Sequence, residues 1–220
     1  MNWSRYLIQK QVFKFKVRGV SDCLTVFIVP LHLTPPVRAL YAHIDNHSTG
    51  DETALKLQAF MKDHREEIHR LVDRAGALSQ KIKKQSQKFV LCHSDIHGGN
   101  VLIDKNGVIY IIDWDEPIMA PKERDLMFIG GGVANVWNNL HEEEFFYKGY
   151  GKTEINRTAL AYYRYERIVE DIAVVGQALL LTTDEGEDRQ ELYKQFVDMF
   201  EPRGVVDIAF KTDDSPTVSN

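Results

Sequence analysis

Three stretches of the chain repeat apolar residues at helical spacing. Residues 51–84 place leucine, isoleucine, valine, methionine and phenylalanine on recurring faces, which predicts helix across this stretch. A second pattern runs from about residue 157 to residue 181, directly after Asn156, and asparagine is a favoured N-terminal cap. The third covers roughly residues 188–200. The chain is therefore expected to be mostly helical.

A strand-like region separates these helices. Val101–Asp104 and Val108–Ile112 are rich in β-branched residues, and Asn106-Gly107 between them is a strong hairpin signal. If those two residues form the whole turn, Asn100 lies directly opposite Asp113. Opposed residues project from the same face with Cβ atoms about 4.5–5.5 Å apart. A three-residue loop would shift this register.

The two ends of the chain differ from its centre. Within residues 1–30, apolar and polar residues alternate over 12–17, which is typical of a strand with one face toward solvent. Residues 24–29 fit a buried strand. This gives an atypical N-terminal segment with strand character. Residues 31–210 are expected to form one lobe. The polar residues 211–220 are expected to be a disordered tail.

Bulk properties narrow the class of protein. The 220 residues are 44% hydrophobic and 27% charged, which is typical of a globular chain with one sizeable core. The net charge of −5 argues against a nucleic-acid partner and is compatible with a cationic substrate. Cys23 and Cys92 do not make a disulfide framework, which indicates a reduced, cytoplasmic protein. The early apolar run 24–29 is too short to span a membrane.

The residues around the hairpin carry chemistry. Phe89–Leu91 predicts a short strand that leads into His93–Asn100, which has the spacing H-x-D-hydrophobic-x-x-x-N. In phosphoryl transfer, a carboxylate orients the attacking hydroxyl and takes its proton, while oxygen ligands hold Mg²⁺ on the phosphates of ATP. Asp95 suits the first task. Asn100 and Asp113 suit the second.

Several motifs together resemble a known family. His93, Asp95, His97 and Asn100 match the loop H-G-D-x-H-x-x-N, and residues 112–114 match I-D-[WF]. The chain thus resembles the C-terminal lobe of the aminoglycoside phosphotransferase family, relatives of choline kinases with a protein-kinase-like fold. Two segments resemble its spectinomycin-phosphotransferase-like branch: APKERDLMF at 120–128 and AYYRYERIVED at 161–171. The resemblance covers about residues 31–205.

The resemblance implies a fold and an activity. The fold would be α+β, a mostly helical kinase-like C-terminal lobe with a small hairpin that carries the catalytic and metal-binding loops. The activity would be transfer of the γ-phosphoryl group of ATP, with Mg²⁺, to a hydroxyl of an aminoglycoside-like or aminocyclitol-like molecule. Asp95 would be the catalytic base, and Asn100 and Asp113 would bind metal and nucleotide. His93 and Asp125 would support the loop.

Other acidic residues are candidates for substrate binding. Asp115 follows Asp113 closely. Glu166 and Glu170 lie four apart on a predicted helix, where like charges repel. With Asp171 beside them they could receive an amino-bearing substrate. Neighbouring arginines could neutralise them instead, so both interpretations stay open.

The chain also departs from the family. Its only glycine before Gly50 is Gly19, so the glycine-rich loop of a nucleotide-binding lobe is missing and that lobe is expected to be largely absent. Another chain or a longer parent would then complete the enzyme, and the uncovered lobe interface would favour self-association. Two alternatives remain. One is an inactive remnant or binding module; the other is a metal-dependent hydrolase using His93, Asp95 and His97.

Overall fold

The computed structural model describes residues 34–47, 50–115, 117–139, 141–182 and 188–214. These residues form α-helices and two separate two-stranded antiparallel sheets, which confirms the expected mostly helical α+β fold. The N-terminal segment 1–30, with both of its predicted strands, lies outside the described residues. None of the helices in these ranges is long and apolar enough to cross a membrane.

The elements follow one another in the order helices, hairpin region, helices. The helices are α1 (Thr34–Asn46), α2 (Glu52–Asp63), α3 (Arg65–Lys83), α4 (Glu123–Leu126), α5 (Glu142–Tyr150), α6 (Arg157–Leu180), α7 (Arg189–Asp198) and α8 (Val205–Asp214). The strands are β1 (Phe89–Cys92), β2 (Val101–Ile103), β3 (Ile109–Ile111) and β4 (Ile118–Pro121). Strand β1 pairs with β4, and β2 pairs with β3.

Helix α6 is the centre of the helical core. It packs against α1, α2, α3, α4, α7 and α8, and its side chains Tyr165, Ile168 and Ile172 are fully buried. Asn156 caps it as predicted, because its Oδ1 accepts a hydrogen bond of 3.2 Å from the backbone N–H of Ala159. Helix α6 is therefore held in position by the helices around it.

Several boundaries differ from the sequence-based expectation. The stretch 51–84 is two helices, α2 and α3, separated by a turn at His64. Helix α1 was not predicted, because the prolines 35 and 36 read as a break; in the first turn a missing N–H costs no helical bond. The disordered tail was predicted to begin at residue 211, but residues 211–214 form the last turn of α8. Residues 215–220 lie outside the described ranges.

The predicted hairpin exists, but its predicted register is wrong. Val101 pairs with Ile111 and Ile103 with Ile109, and the backbone N–H of Asp104 donates to the carbonyl of Val108 at 2.9 Å, so the loop has three residues, 105–107. The side chain of Asp104 accepts hydrogen bonds from the backbone N–H groups of residues 106 and 108, at 2.8 and 2.9 Å, and Gly107 adopts a φ of 81°. This is a three-residue turn closed by a bulge. Asn100 therefore faces Ile112, not Asp113.

The hairpin exposes apolar side chains on both of its faces. Seven of them are between 37% and 50% exposed: Leu102, Ile103, Val108, Ile109, Tyr110, Ile111 and Ile112. An isolated two-stranded hairpin is marginal in water, and an exposed apolar cluster of this size marks an interaction surface. We call these seven residues the hairpin surface.

Candidate active site

The β1–β4 sheet sets the position of the loop that follows β1. Strand β4 leads directly into α4 and so carries Asp125 back to the end of β1. The Asp125 carboxylate accepts one hydrogen bond from the backbone N–H of His93, at 2.9 Å, and one from that of Ser94, at 2.8 Å. Ser94 has a φ of 70°, a strained value for a residue other than glycine. Asp125 therefore holds the turn into the loop. Burial raises the pKa of its carboxyl.

His93 lies beneath the loop and is 2% exposed. Its Nδ1 accepts a long hydrogen bond, 3.3 Å, from the backbone N–H of Asp95. The proton of the neutral ring therefore lies on Nε2, which donates to the carbonyl of Ile112 at 2.7 Å. The ring also meets the indole of Trp114 edge-on, with centroids 4.6 Å apart. His93 thus connects the loop to the end of β3.

Asp95 is half-buried and surrounded by donors. Its Oδ1 accepts a hydrogen bond of 2.9 Å from Nη1 of Arg167 on α6. Its Oδ2 accepts one of 3.3 Å from Nδ2 of Asn100 and lies 3.5 Å from Nε2 of His97. The hydrogen bond from His97 and the charge of Arg167 lower the pKa of Asp95 to about 2. Asp95 is therefore ionised at neutral pH.

Asn100 and Asp113 lie at the open ends of β2 and β3. The carbonyl of Asn100 accepts a hydrogen bond from the backbone N–H of Ile112, 3.0 Å long, which brings the two ends together. The amide nitrogen Nδ2 of Asn100 donates to the carbonyl of Asp95 at 2.9 Å and to its Oδ2. The amide oxygen Oδ1 is therefore the atom of Asn100 that could bind a cation. Asp113 is exposed and adopts a φ of 65°, which takes it out of strand geometry. An amide oxygen and a carboxylate are ligands that would suit Mg²⁺.

Trp137 contacts the loop 93–100, a contact that the sequence analysis did not predict. Its indole stacks on the His97 ring, with centroids 4.9 Å apart and planes at 11°, and its backbone φ is 54°. A Cβ on Gly98 or on Gly99 would lie 2.9 Å from the indole. The Gly98-Gly99 pair therefore allows the ring to lie directly on the backbone. The two adjacent glycines were the feature of the sequence that could have indicated a close approach to this backbone.

The acidic residues of α6 are separated rather than gathered into one cluster. The hydroxyl of Tyr162 donates to Oε1 of Glu166 at 2.7 Å, and the carboxylate of Asp171 accepts from Nε of Arg167 at 3.0 and 3.2 Å. Glu170 is partly exposed, as is usual for a helix surface. Asp115, the fourth candidate, is exposed beyond Asp113. The predicted amine-binding cluster of Glu166, Glu170 and Asp171 is therefore not formed as a unit.

The neighbouring arginines also have other partners. Arg164 is buried and donates to the carbonyls of Met127 and Ile129, at 3.1 and 2.9 Å. Arg167 bridges Asp95 and Asp171. Neither makes a hydrogen bond to Glu166 in the described part of the chain. The alternative that neighbouring arginines neutralise the acidic residues is therefore met for Asp171, through Arg167, but not for Glu166.

Glu166 is predicted to destabilise the fold at neutral pH. Burial raises its pKa to about 6, whereas an unfolded glutamate has a pKa of about 4.3. Between these values the folded protein binds a proton that the unfolded chain does not, so the free energy of unfolding falls as pH rises through this window. Glu166→Gln should therefore stabilise the protein by about 2 kcal/mol near pH 7.5 and by little near pH 4.5. Urea unfolding at both pH values measures this.

Glu170→Gln is the matched control for that experiment. It makes the same charge change one helical turn away, on a side chain that does not accept the hydrogen bond from Tyr162. An equal stabilisation near pH 7.5 by both variants would show that net charge, rather than burial of Glu166, is responsible.

The geometry gives no support to the hydrolase alternative. His93 directs Nε2 to a backbone carbonyl, and Nδ1 of His97 accepts from the N–H of Gly99 at 3.0 Å. Among the described residues, no group of three or more histidine, cysteine, aspartate or glutamate side chains is arranged to hold a metal ion. His93, Asp95 and His97 therefore do not form the predicted metal cluster.

Comparison with known proteins agrees with the site. Residues 28–154 match the phosphotransferase enzyme family. A crystal structure of spectinomycin phosphotransferase, APH(9)-Ia, in complex with ADP and spectinomycin is 50% identical, with a TM-score of 0.77 over 85% of this chain and 56% of that one. Its AMP-bound complex is 51% identical, with a TM-score of 0.74 over 83% and 56%. The search of curated proteins found no match.

The chain thus spans just over half the length of these two structures. The family match covers more than half of the chain and includes Asp95, Asn100 and Asp113. On this match and the 50% identity, the chain belongs to the phosphotransferase enzyme family.

Proposed function

We propose that this chain is the catalytic lobe of an ATP-dependent phosphotransferase that acts on a hydroxyl of a small, amino-bearing molecule of the aminocyclitol type. The observation that carries the proposal is the ionised Asp95, fixed between Arg167 and Asn100 beside the hairpin end with Asp113. The two similar structures hold ADP with spectinomycin, and AMP, which supports both the nucleotide and the acceptor class.

The reaction follows from the position of Asp95. The acceptor hydroxyl donates a hydrogen bond to the carboxylate, and its oxygen attacks the γ-phosphorus of ATP in line with the leaving group. The new P–O bond forms as the bond to the β,γ-bridging oxygen breaks, ADP leaves with the electron pair, and the hydroxyl proton passes to Asp95. A pKa of about 2 makes Asp95 a weak base, so orientation is its main contribution.

Asn100 and Asp113 are the proposed ligands of Mg²⁺. Bound there, the ion would offset negative charge on the β- and γ-phosphates. The chain supplies the amide oxygen of Asn100, oriented by the bonds from Nδ2 to Asp95, and the exposed carboxylate of Asp113. His93 supports the position of both proposed ligands. Its hydrogen bond to the carbonyl of Ile112 fixes the residue that lies between β3 and Asp113.

The acceptor amines need acidic partners that are not already paired. Glu166 and Asp171 have partners within the lobe, as described above. Asp115 is exposed and Glu170 is partly exposed, and neither has a hydrogen-bond or ion-pair partner among the described residues. We therefore propose that these two residues, rather than Asp171, contact the amino groups of the acceptor.

The hairpin surface is proposed to lie against a nucleotide-binding lobe from a longer parent or a second chain. Its exposed residues flank the proposed metal ligands, where a nucleotide would enter. With this surface uncovered, the isolated chain is expected to self-associate. Sedimentation velocity at two loading concentrations tests that expectation, and a concentration-independent monomer would contradict it.

Titration calorimetry with ATP tests the proposed function. The wild-type chain should bind ATP only with millimolar Mg²⁺, and Asp113→Ala should abolish the magnesium dependence because one of two protein ligands is lost. Asp73→Ala, which removes an exposed carboxylate from α3, is the control. Binding by the wild type that is equal with and without Mg²⁺ would contradict the metal site. No binding at all would favour the alternative of an inactive remnant.

A further inference from the structure

Arg167 lies between two carboxylates that come from different parts of the fold. Its Nη1 donates to Oδ1 of Asp95 at 2.9 Å, and its Nε donates to both oxygens of Asp171 at 3.0 and 3.2 Å. Arg167 and Asp171 are one turn apart on α6, whereas Asp95 is in the loop after β1. One guanidinium therefore joins the catalytic loop to the central helix.

The two oxygens of Asp95 are held with different strength. Oδ1 has a short, charge-assisted bond to Arg167. Among the described residues, Oδ2 has a long contact of 3.3 Å with Asn100 and lies 3.5 Å from His97. A carboxylate anchored through one oxygen presents the other in a fixed direction. Oδ2 is therefore the oxygen placed to receive a proton.

Burial makes this arrangement different from a surface ion pair. The side chains of Arg167, Asp171 and Asp95 are 29%, 26% and 35% exposed. Partly desolvated ion pairs are screened less than exposed ones. The other titratable groups that act on this pair are Glu170 on α6 and His97 in the loop. The guanidinium is held by Asp171 independently of Asp95, so it does not depend on the loop for its own position.

We propose that Arg167 is a positioning residue for the phosphoryl transfer, that Asp171 anchors it, and that the acceptor hydroxyl donates to Oδ2 of Asp95. This inference rests on the proposed function. The contribution is geometric, because a displacement of about 1 Å in a catalytic group costs about 10²-fold in rate. Arg167 acts through Asp95 and makes no contact with the reacting atoms.

Three variants test the proposal in single-turnover transfer from ATP to spectinomycin. Arg167→Met should lower the rate about 10²-fold with the ATP affinity unchanged, because the carboxylate is released while the metal ligands remain. Arg167→Lys should recover about 10-fold of that loss, since it keeps the charge but not the planar fork. The double variant Arg167→Met/Asp171→Asn removes the carboxylate that Arg167→Met leaves unpaired.

The double variant separates a positioning role from a structural one. If Arg167 positions Asp95, the double variant should regain the thermal stability lost in Arg167→Met but stay about 10²-fold slow. Recovery of both stability and rate would overturn the proposal, because the loss would then come from the unpaired Asp171. Should Arg167→Met not fold, Arg167→Lys and the double variant give the same comparison.

An NMR measurement decides the proposal without any activity. Ion pairing at both ends should slow rotation about the Nε–Cζ bond of Arg167, whose signal is assigned by its absence in Arg167→Lys. Asp95→Asn should speed that rotation at least 10-fold, while Nε–H stays protected by Asp171. Equal rotation rates in the wild type and Asp95→Asn would overturn the inference. A wild-type chain with slow rotation but no transfer would contradict the proposed function alone.

Discussion

Asp95→Asn should abolish phosphoryl transfer, with a fall in rate of about 10³-fold, while the affinity for magnesium–ATP stays close to that of the wild type. The amide keeps the shape of the side chain but cannot accept the hydroxyl proton. It also loses the charge that pairs with Arg167. The proposed metal ligands, Asn100 and Asp113, are unchanged by the substitution. Single-turnover transfer and ATP calorimetry on the same preparation measure the two effects.

Asp73→Asn is the control for that substitution, since it makes the same chemical change on an exposed side chain of α3. It should leave both quantities unchanged. An equal loss of transfer and of ATP affinity in Asp95→Asn would contradict the role of Asp95 as the proton acceptor, because it would mean that the whole site had collapsed.

Asp125→Asn should destabilise the fold by about 3 kcal/mol and reduce transfer as well. Each carboxylate oxygen of Asp125 accepts one backbone hydrogen bond, from His93 and from Ser94. An asparagine can accept only one of them, and its NH₂ group would face the second N–H. The strained backbone at Ser94 would then lose the bond that holds it. Urea unfolding measures the change in the free energy of unfolding.

Glu123→Gln provides a close control on the same short helix. Glu123 is more buried than Asp125, but only one of its oxygens, Oε1, accepts a backbone hydrogen bond among the described residues, from Asn156 at 2.9 Å. The amide oxygen of glutamine can replace it, so the expected cost is below about 1 kcal/mol. If the two variants were equally destabilised, the pair of bonds to the loop could not be the cause.

Local features of the sequence predicted the elements that depend on local interactions. Helix α6 begins where Asn156 caps it and follows an apolar stripe, and the spacing of His93–Asn100 identified the loop. The hairpin register was wrong for a physical reason. Asp104 accepts hydrogen bonds within the turn, which favours a three-residue loop over the two-residue turn that Asn106-Gly107 usually forms.

The contacts that complete the site could not be predicted from the sequence. Trp137 on His97 depends on where the segment after α4 folds back, and periodicity carries no information about this. The sequence left open whether Asp171 binds substrate or is neutralised by a neighbouring arginine, and only the fold shows that Arg167 pairs with it. Strand β4 was missed because Ile118–Pro121 is short and ends in proline, and its pairing partners in β1 are 26 or more residues away.

The bond between Arg167 and Asp95 joins residues that are 72 positions apart. The two hydrogen bonds that Asp125 accepts, from Ser94 and His93, span 31 and 32 positions. Contacts of such separation pay their loop-closure entropy before they contribute stability, so they form after local helices and turns. The hairpin can form from its own residues, but the orientation of the Asp95 carboxylate is a late product of folding. Recovery of transfer activity after dilution from urea should therefore lag behind recovery of helix, which makes catalysis a reporter of the last contacts to form.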